Sequence, residues 1–241
     1  MIKRLFQRFV GQPDMPDVAP DSPFIAVGDI HGRADLLARF LDTTPPHPIV
    51  CVGDYVDRGD SSAEVLRMLR ARPDITCLSG NHEVMLLAFL KNPTGEGPRW
   101  LHNGGLQTLA SFGIASVSQI SGAEALMRAR DQLYEAMGPD LIAWINGLPA
   151  YWQSGNVAVV HAGADPVRKL ADQQIDTLHW GHPNFMKTPR VDGIWVVHGH
   201  TIVDAPSATQ GRIAIDTGAY ATGRLTTALV APGRTTFTEI T

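Results

Sequence analysis

FIAVGDIHGRADLLARFLDT, residues 24–43, opens on four apolar residues, turns through a Gly-led polar loop and resumes with Leu36, Leu37, Phe40 and Leu41 at helical spacing. A short apolar run bounded by a glycine reads as a buried strand, and the spacing after it reads as one face of a helix. The same grammar returns twice. Ile49–Val52 leads into GDYVDRGD and SSAEVLRMLRAR, and Ile75–Leu78 leads into SGNHE and VMLLAFLKN. Three such units predict consecutive βαβ crossovers and a parallel sheet. Ligands of such sheets bind beyond the carboxyl ends of the strands, where all three polar loops fall.

From about 92 to 156 the character changes. Turns such as PTGEGP and NGG precede EALMRARDQLYEAMG and PDLIAWINGLP, whose apolar spacing predicts a helical insertion or cap with few convergent polar groups. Strand-then-loop grammar then resumes, with Val157–Val160 before HAG and Ile194–Val197 before HGHT. The tail segments RIAIDTG, LTTALVA and TTFTEIT predict antiparallel strands. The Pro- and Asp-rich start places a flexible lead-in at 1–23, its first ten residues able to form an amphipathic turn, and leaves 24–241 as one domain.

Composition narrows the function classes. With 20 Lys+Arg against 24 Asp+Glu, the net charge of -4 gives no bulk attraction for nucleic acid or an anionic membrane. No apolar run approaches the ~20 residues of a membrane span, and the N-terminus makes a poor secretory signal, so a cytoplasmic monomer is expected. Cys51 and Cys77 sit inside apolar runs and read as buried, reduced thiols.

Carboxylate and carbonyl oxygens hold hard divalent ions, and imidazoles extend the set to borderline ones. Asp29 and His31 alternate around Ile30 and can face one point. Asp54 follows Gly53, Asn81 and His82 follow Gly80, and His161 and His200 each follow an apolar run. Any one of these is an ordinary turn residue. Five such loops, each at the end of a strand, point to a single divalent-metal pocket.

In this order GDIHG, GDYVDRG, GNHE, HAG and GHT resemble the signature of the phosphoprotein phosphatase family of calcineurin-like metallophosphoesterases, over Gly28 to Thr201. The compact length is similar to that of the bacterial and phage serine/threonine phosphatases. The resemblance implies a four-layer α/β/β/α sandwich with two central mixed β-sheets and two divalent metal ions, manganese first, with iron, zinc or nickel also compatible. It places Asp29 and His31 on one metal, Asn81, His161 and His200 on the other, and Asp54 between them, with His198 beside the site. It implies direct attack on a phosphate ester by a metal-bridging hydroxide. His82 would protonate the leaving oxygen, Asp57 would orient His82, and Arg58 would hold the phosphate.

One departure stands out. Relatives carry a second phosphate-binding arginine between HAG and GHT, whereas here Trp180 is followed by Gly181 and His182. His182 is therefore the expected second substrate contact, with Arg190 or Arg168 as alternatives and His179 nearby. The expected substrate is phosphoserine or phosphothreonine in proteins, or a small phosphoester. A bis(5'-nucleosyl)-tetraphosphatase and an inactive metal-binding scaffold are the competing readings. The Asp57-Arg58 pair argues against the former and, with His82, against the latter.

Overall fold

The computed structural model describes residues 15–241. In chain order its elements begin β1 (Phe24–Val27), α1 (Ala34–Asp42), β2 (Ile49–Cys51), α2 (Ser62–Arg70), β3 (Ile75–Cys77) and α3 (Asn81–Lys91). Next come α4 (Pro93–Trp100), a π turn at Leu101–Gly105, α5 (Leu106–Ser111) and α6 (Ala123–Asn146). After these come β4 (Tyr151–Ser154), β5 (Val157–Val160), a short 3-10 turn, α7 (Ile175–Trp180) and β6 (Trp195–His198). The chain finishes with β7 (Ser207–Thr209), β8 (Arg212–Ala214), α8 (Ala219–Thr222), β9 (Leu225–Ala231) and β10 (Arg234–Ile240).

Two five-stranded mixed sheets form, in the orders β10-β9-β1-β2-β3 and β4-β5-β6-β8-β7. β1, β2 and β3 pair in parallel, as consecutive βαβ units require. Side-chain alternation along each strand builds the layers. Phe24 and Ala26 of β1, with Val50 and Val52, face Val157, Val159 and Val197 of the other sheet and make the central core. Val27, Cys51 and Cys77 face the opposite way, against the helices. Ala158, Val160 and Val196 point outward from the second sheet beneath Leu170, Leu178 and Phe185. The expected four-layer arrangement is therefore present, with a largely irregular outer layer over the second sheet.

Three expectations need correction. In the tail, LTTALVA and TTFTEIT pair antiparallel as β9 and β10, in the first sheet, but RIAIDTG supplies β8, which pairs with β6 in parallel as well as with β7 antiparallel. The stretch 92–156 ends in a strand, β4, and its helices extend the first helical layer, burying Trp100, Leu126, Leu133 and Leu141 beside Phe89. Residues 15–23 are not a loose lead-in. Asn156 accepts the Ala19 N–H at 2.7 Å, Trp195 donates to Pro16 O at 2.8 Å, and Val18 joins the central core. The proposed amphipathic turn in the first ten residues lies outside the described residues. Among the described residues no helix is long and apolar enough to cross a membrane.

Candidate metal centre

The polar loops converge at the carboxyl ends of both sheets, and Asp54 is their hub. Asp54 Oδ2 lies 3.5 Å from His31 Nε2, and Oδ1 lies 3.3 Å from His161 Nε2. Asn81 Oδ1 lies 2.8 Å from His161 Nε2 and 2.9 Å from His200 Nδ1. Asp29 joins through Oδ2, which accepts the His200 N–H at 3.0 Å. The six expected ligands thus meet in one place.

Hydrogen bonds on the far side of the rings turn them the right way. His31 Nδ1 donates to Val56 O at 2.8 Å, and His161 Nδ1 donates to Val52 O at 3.2 Å. Each bond leaves a lone pair on Nε2 facing the centre, as a metal-ligating imidazole requires. Burial holds His31 at about 3 and His200 at about 4, so both are neutral and able to ligate. His198, the residue before Gly199, sits on the other face of β6 against Phe185, with ring centroids 5.0 Å apart. Strand alternation explains why it lies outside the cluster.

Acceptor atoms of Asp29, Asp54 and Asn81 crowd this centre, and among the described residues Arg58 reaches it only at His31. Asp29 Oδ1 is buried and has no hydrogen-bond partner among the described residues. Burial first, then Asp216 and Asp54, pushes its carboxyl well above the usual range. Gly199 makes room for it, since a Cβ there would lie 1.8 Å from Asp29 Oδ1. Donor atoms of Asp54, His161 and His200 lie within 4.8 Å of one another, as do those of His31, Asp54 and His82. Oxygen and imidazole donors without thiolate, sharing one carboxylate, suit a pair of divalent cations.

The backbone is strained where the ligands sit. Among the described residues, five of the seven non-glycine residues with positive φ are His31, Asp54, Asp57, Arg58 and His200, with φ between 44° and 71°. Such conformations cost free energy and persist where the surroundings over-determine them. Here Glu83 does so, accepting the backbone N–H groups of Asp54 and Tyr55 at 2.8 Å each.

His82 stands at the edge of the cluster. Its Nδ1 donates to Asp57 Oδ2 at 2.7 Å, and Nε2 faces Asp54 Oδ2 at 3.8 Å. Burial alone would lower its proton affinity, but Asp54 and Asp57 together raise it. Arg58 Nη1 reaches His31 Nε2 at 3.0 Å, and the guanidinium lies 5.0 Å from the ring centroid of Tyr220.

Residues 22–204 match the family model described as calcineurin-like phosphoesterase. The chain belongs to the calcineurin-like phosphoesterases. It is therefore a phosphoric ester hydrolase of a family that uses a dinuclear divalent metal centre. Among solved structures, a candidate diadenosine tetraphosphatase matches with 22% identity over 92% of this chain and 97% of that one, TM-score 0.63. The cold-active protein-tyrosine phosphatase of a psychrophilic Shewanella matches with 17% identity over 94% and 83%, TM-score 0.56. A protein serine/threonine phosphatase from Saccharomyces cerevisiae matches with 17% identity over 92% and 80%, TM-score 0.53. No curated protein sequence matches.

Within this phosphoesterase the expected second cation is less simply placed. His182 makes no contact with the ligand cluster among the described residues: its Nε2 lies 3.9 Å from Asp165 Oδ2, and its Nδ1 accepts the Asn184 N–H at 3.3 Å. Arg190 is buried and tied to Asp192 and to the carbonyls of Asp165 and Arg168, while Arg168 pairs with Asp165 at 3.4 Å. His179 is occupied by Ser79 Oγ at 2.6 Å. Arg99 of α4, by contrast, stacks on Trp180 at 4.5 Å from the ring centroid. Sequence reasoning missed Arg99, Tyr220, Asp216, Trp100 and Thr108, each brought in from a distant segment by the fold.

Proposed function

We propose that this phosphoesterase is a phosphomonoesterase acting on phosphoserine and phosphothreonine in proteins. The observation that carries the reading is the His82–Asp57 pair at 2.7 Å beside the ligand cluster, with Arg58 adjacent to Asp57 and reaching the same point. When bound, two divalent ions supply a hydroxide nucleophile near neutral pH and neutralise charge on the phosphoryl group. Manganese is the ion proposed for both places.

The chain's own residues would do the rest. Arg58 offers two parallel N–H groups to phosphoryl oxygens, stabilising the charge that accumulates there. His82, its Nδ1 committed to Asp57, presents Nε2–H to the departing alkoxide, which leaves as the serine or threonine hydroxyl. Such general-acid help is typically worth 10²–10⁴-fold. A serine alkoxide is a poor leaving group, so an ion-paired acid suits a phosphomonoester of an alcohol. Hydrolysis of a dinucleoside polyphosphate, whose leaving group is itself a phosphate, gains less from it.

A panel of phosphoserine and phosphothreonine peptides against diadenosine tetraphosphate, each at saturating manganese, tests the choice. The reading expects the peptides to be hydrolysed with the larger kcat/KM. Preference for the dinucleotide would replace it with the alternative that the match to a candidate diadenosine tetraphosphatase favours.

A further inference from the structure

Asp57 is wholly buried, and its carboxylate does more than face His82. Trp100 Nε1 donates to both of its oxygens, at 3.0 Å each, and Thr108 Oγ1 donates to Oδ1 at 2.6 Å. The Thr108 hydroxyl also accepts the Asp57 N–H at 2.9 Å, closing a ring between the carboxylate and its own backbone. Both residues come from the insertion, 43 and 51 positions further along the chain. Burial pushes Asp57 above the usual carboxylate range, and His82, Thr108 and Trp100 oppose it with hydrogen bonds.

The donors are themselves fixed. Trp100 is fully buried and packs on Phe89 with ring centroids 4.5 Å apart. An indole N–H only donates, so Trp100 has one use for its polar atom here. The turn after it grips the neighbouring residue: Gly104 O accepts the Arg58 N–H at 3.3 Å. Gly104 sits at φ 105°, where a Cβ would come within 2.6 Å of Arg58 N. The insertion therefore holds the Asp57-Arg58 end of the loop, as Glu83 holds its Asp54-Tyr55 end.

We propose that Trp100 and Thr108 are positioning residues for leaving-group protonation: they lock the Asp57 carboxylate, and through it the direction in which His82 Nε2 presents its proton. The inference rests on the reading of His82 as the acid. An Asp57 held only by His82 could swing with the ring, and general-acid catalysis is lost when the proton is misdirected by a fraction of a hydrogen-bond length. The helical insertion then becomes part of the catalytic apparatus as well as packing.

Leaving-group dependence separates positioning from mere support. Trp100→Phe keeps a ring in the Phe89 stack and removes the N–H, and Thr108→Val keeps the shape and removes the hydroxyl. At saturating manganese, each should lower kcat on phenyl phosphate by about 10- to 100-fold, part of the contribution of a general acid. Each should change kcat on 2,4-dinitrophenyl phosphate, whose phenolate departs unaided, by less than about threefold, with KM little altered. In a His82→Ala background, Trp100→Phe should add nothing further on phenyl phosphate.

Equal losses on the two esters, or unchanged rates on both, in a variant that binds manganese as the parent does would overturn the proposal. Thr108→Ser, which restores the hydroxyl, should recover the phenyl phosphate rate, and failure to do so counts against it should Trp100→Phe not fold. His82→Ala is measured alongside. If it is itself indifferent to leaving group, the acid reading falls first. If it is selective and the Trp100 and Thr108 variants are not, the positioning role alone falls.

Discussion

Asp54 Oδ1 accepts the backbone N–H of His82 at 3.0 Å, so the carboxylate at the hub of the candidate ligand cluster also caps the first turn of α3, where His82 sits. An anion at a helix N-terminus is favoured by the exposed N–H groups and the helix dipole. The geometry of the cluster and the position of His82 are thus joined through one side chain.

Asp54→Asn keeps the shape and loses the charge. Metal affinity, measured by titration calorimetry with manganese, should fall by more than about 100-fold, beyond the range typical of residues that only support a ligand. Hydrolysis of p-nitrophenyl phosphate should fall with it.

Asp29 predicts a particular response of the metal-free protein. Its carboxyl is raised in the fold by burial and by Asp216 and Asp54, so the stability it contributes is present below the unfolded carboxylate value of ~3.9 and is lost as pH rises through the folded value. At neutral pH, Asp29→Asn should therefore raise the melting temperature of the protein in chelator. The same variant should lose the stabilisation the parent gains from metal, about 2.7 kcal/mol at a metal concentration of 100 Kd for each site. Thermal melts with and without manganese report both.

His179 supplies the opposite sign. Burial, with His161 as a smaller contributor, lowers its proton affinity, and its Nε2 is bonded to Ser79 Oγ at 2.6 Å. Stability from neutral His179 is present above the unfolded imidazole value of ~6.5 and is lost as pH falls through the folded value. Urea unfolding of the parent and of His179→Gln should show the parent's advantage shrinking below that pH. Ser79→Ala should cost about 1–3 kcal/mol at pH 7.5, the penalty for stranding a buried partner.

The convergence of the candidate ligands was readable in the sequence because each member is local: Asp29, Asp54, His161 and His200 each follow a strand and need only their own segment to be placed. Layer order followed from the family resemblance, since the runs of β1 and β5 are apolar throughout and carry no alternation to read. The remainder depends on long-range packing that periodicity does not encode. Trp100 looks like one more core aromatic and Thr108 like a helix-surface residue until the fold brings them to Asp57. Nothing about RIAIDTG indicates that Asp216 will crowd Asp29. Residues 15–23 look polar and loose, yet their backbone groups complete the β4–β5 turn at Asn156.

The phosphate clamp tests Arg99 against the sequence expectation for His182. Trp180, on which Arg99 stacks, follows Leu178, whose carbonyl accepts the N–H of Ala162 next to His161 at 2.8 Å. Arg99 makes no ion pair among the described residues. Inhibition by inorganic phosphate should weaken about 10-fold or more in Arg58→Ala and several-fold in Arg99→Ala, and least in His182→Ala, consistent with the worth of charged hydrogen bonds. A pH-dependent loss on replacing His182 would restore the histidine to the clamp.

Manganese stoichiometry and turnover, measured together on parent and Asp54→Asn, decide whether the cluster around Asp54 is a two-metal phosphoesterase centre. Two ions should bind per parent chain, hydrolysis of p-nitrophenyl phosphate should appear with metal and disappear in chelator, and the variant should show neither full occupancy nor turnover. Parent turnover that persists undiminished in chelator, or an Asp54→Asn protein that binds two ions and hydrolyses the ester at the parent rate, would contradict that assignment.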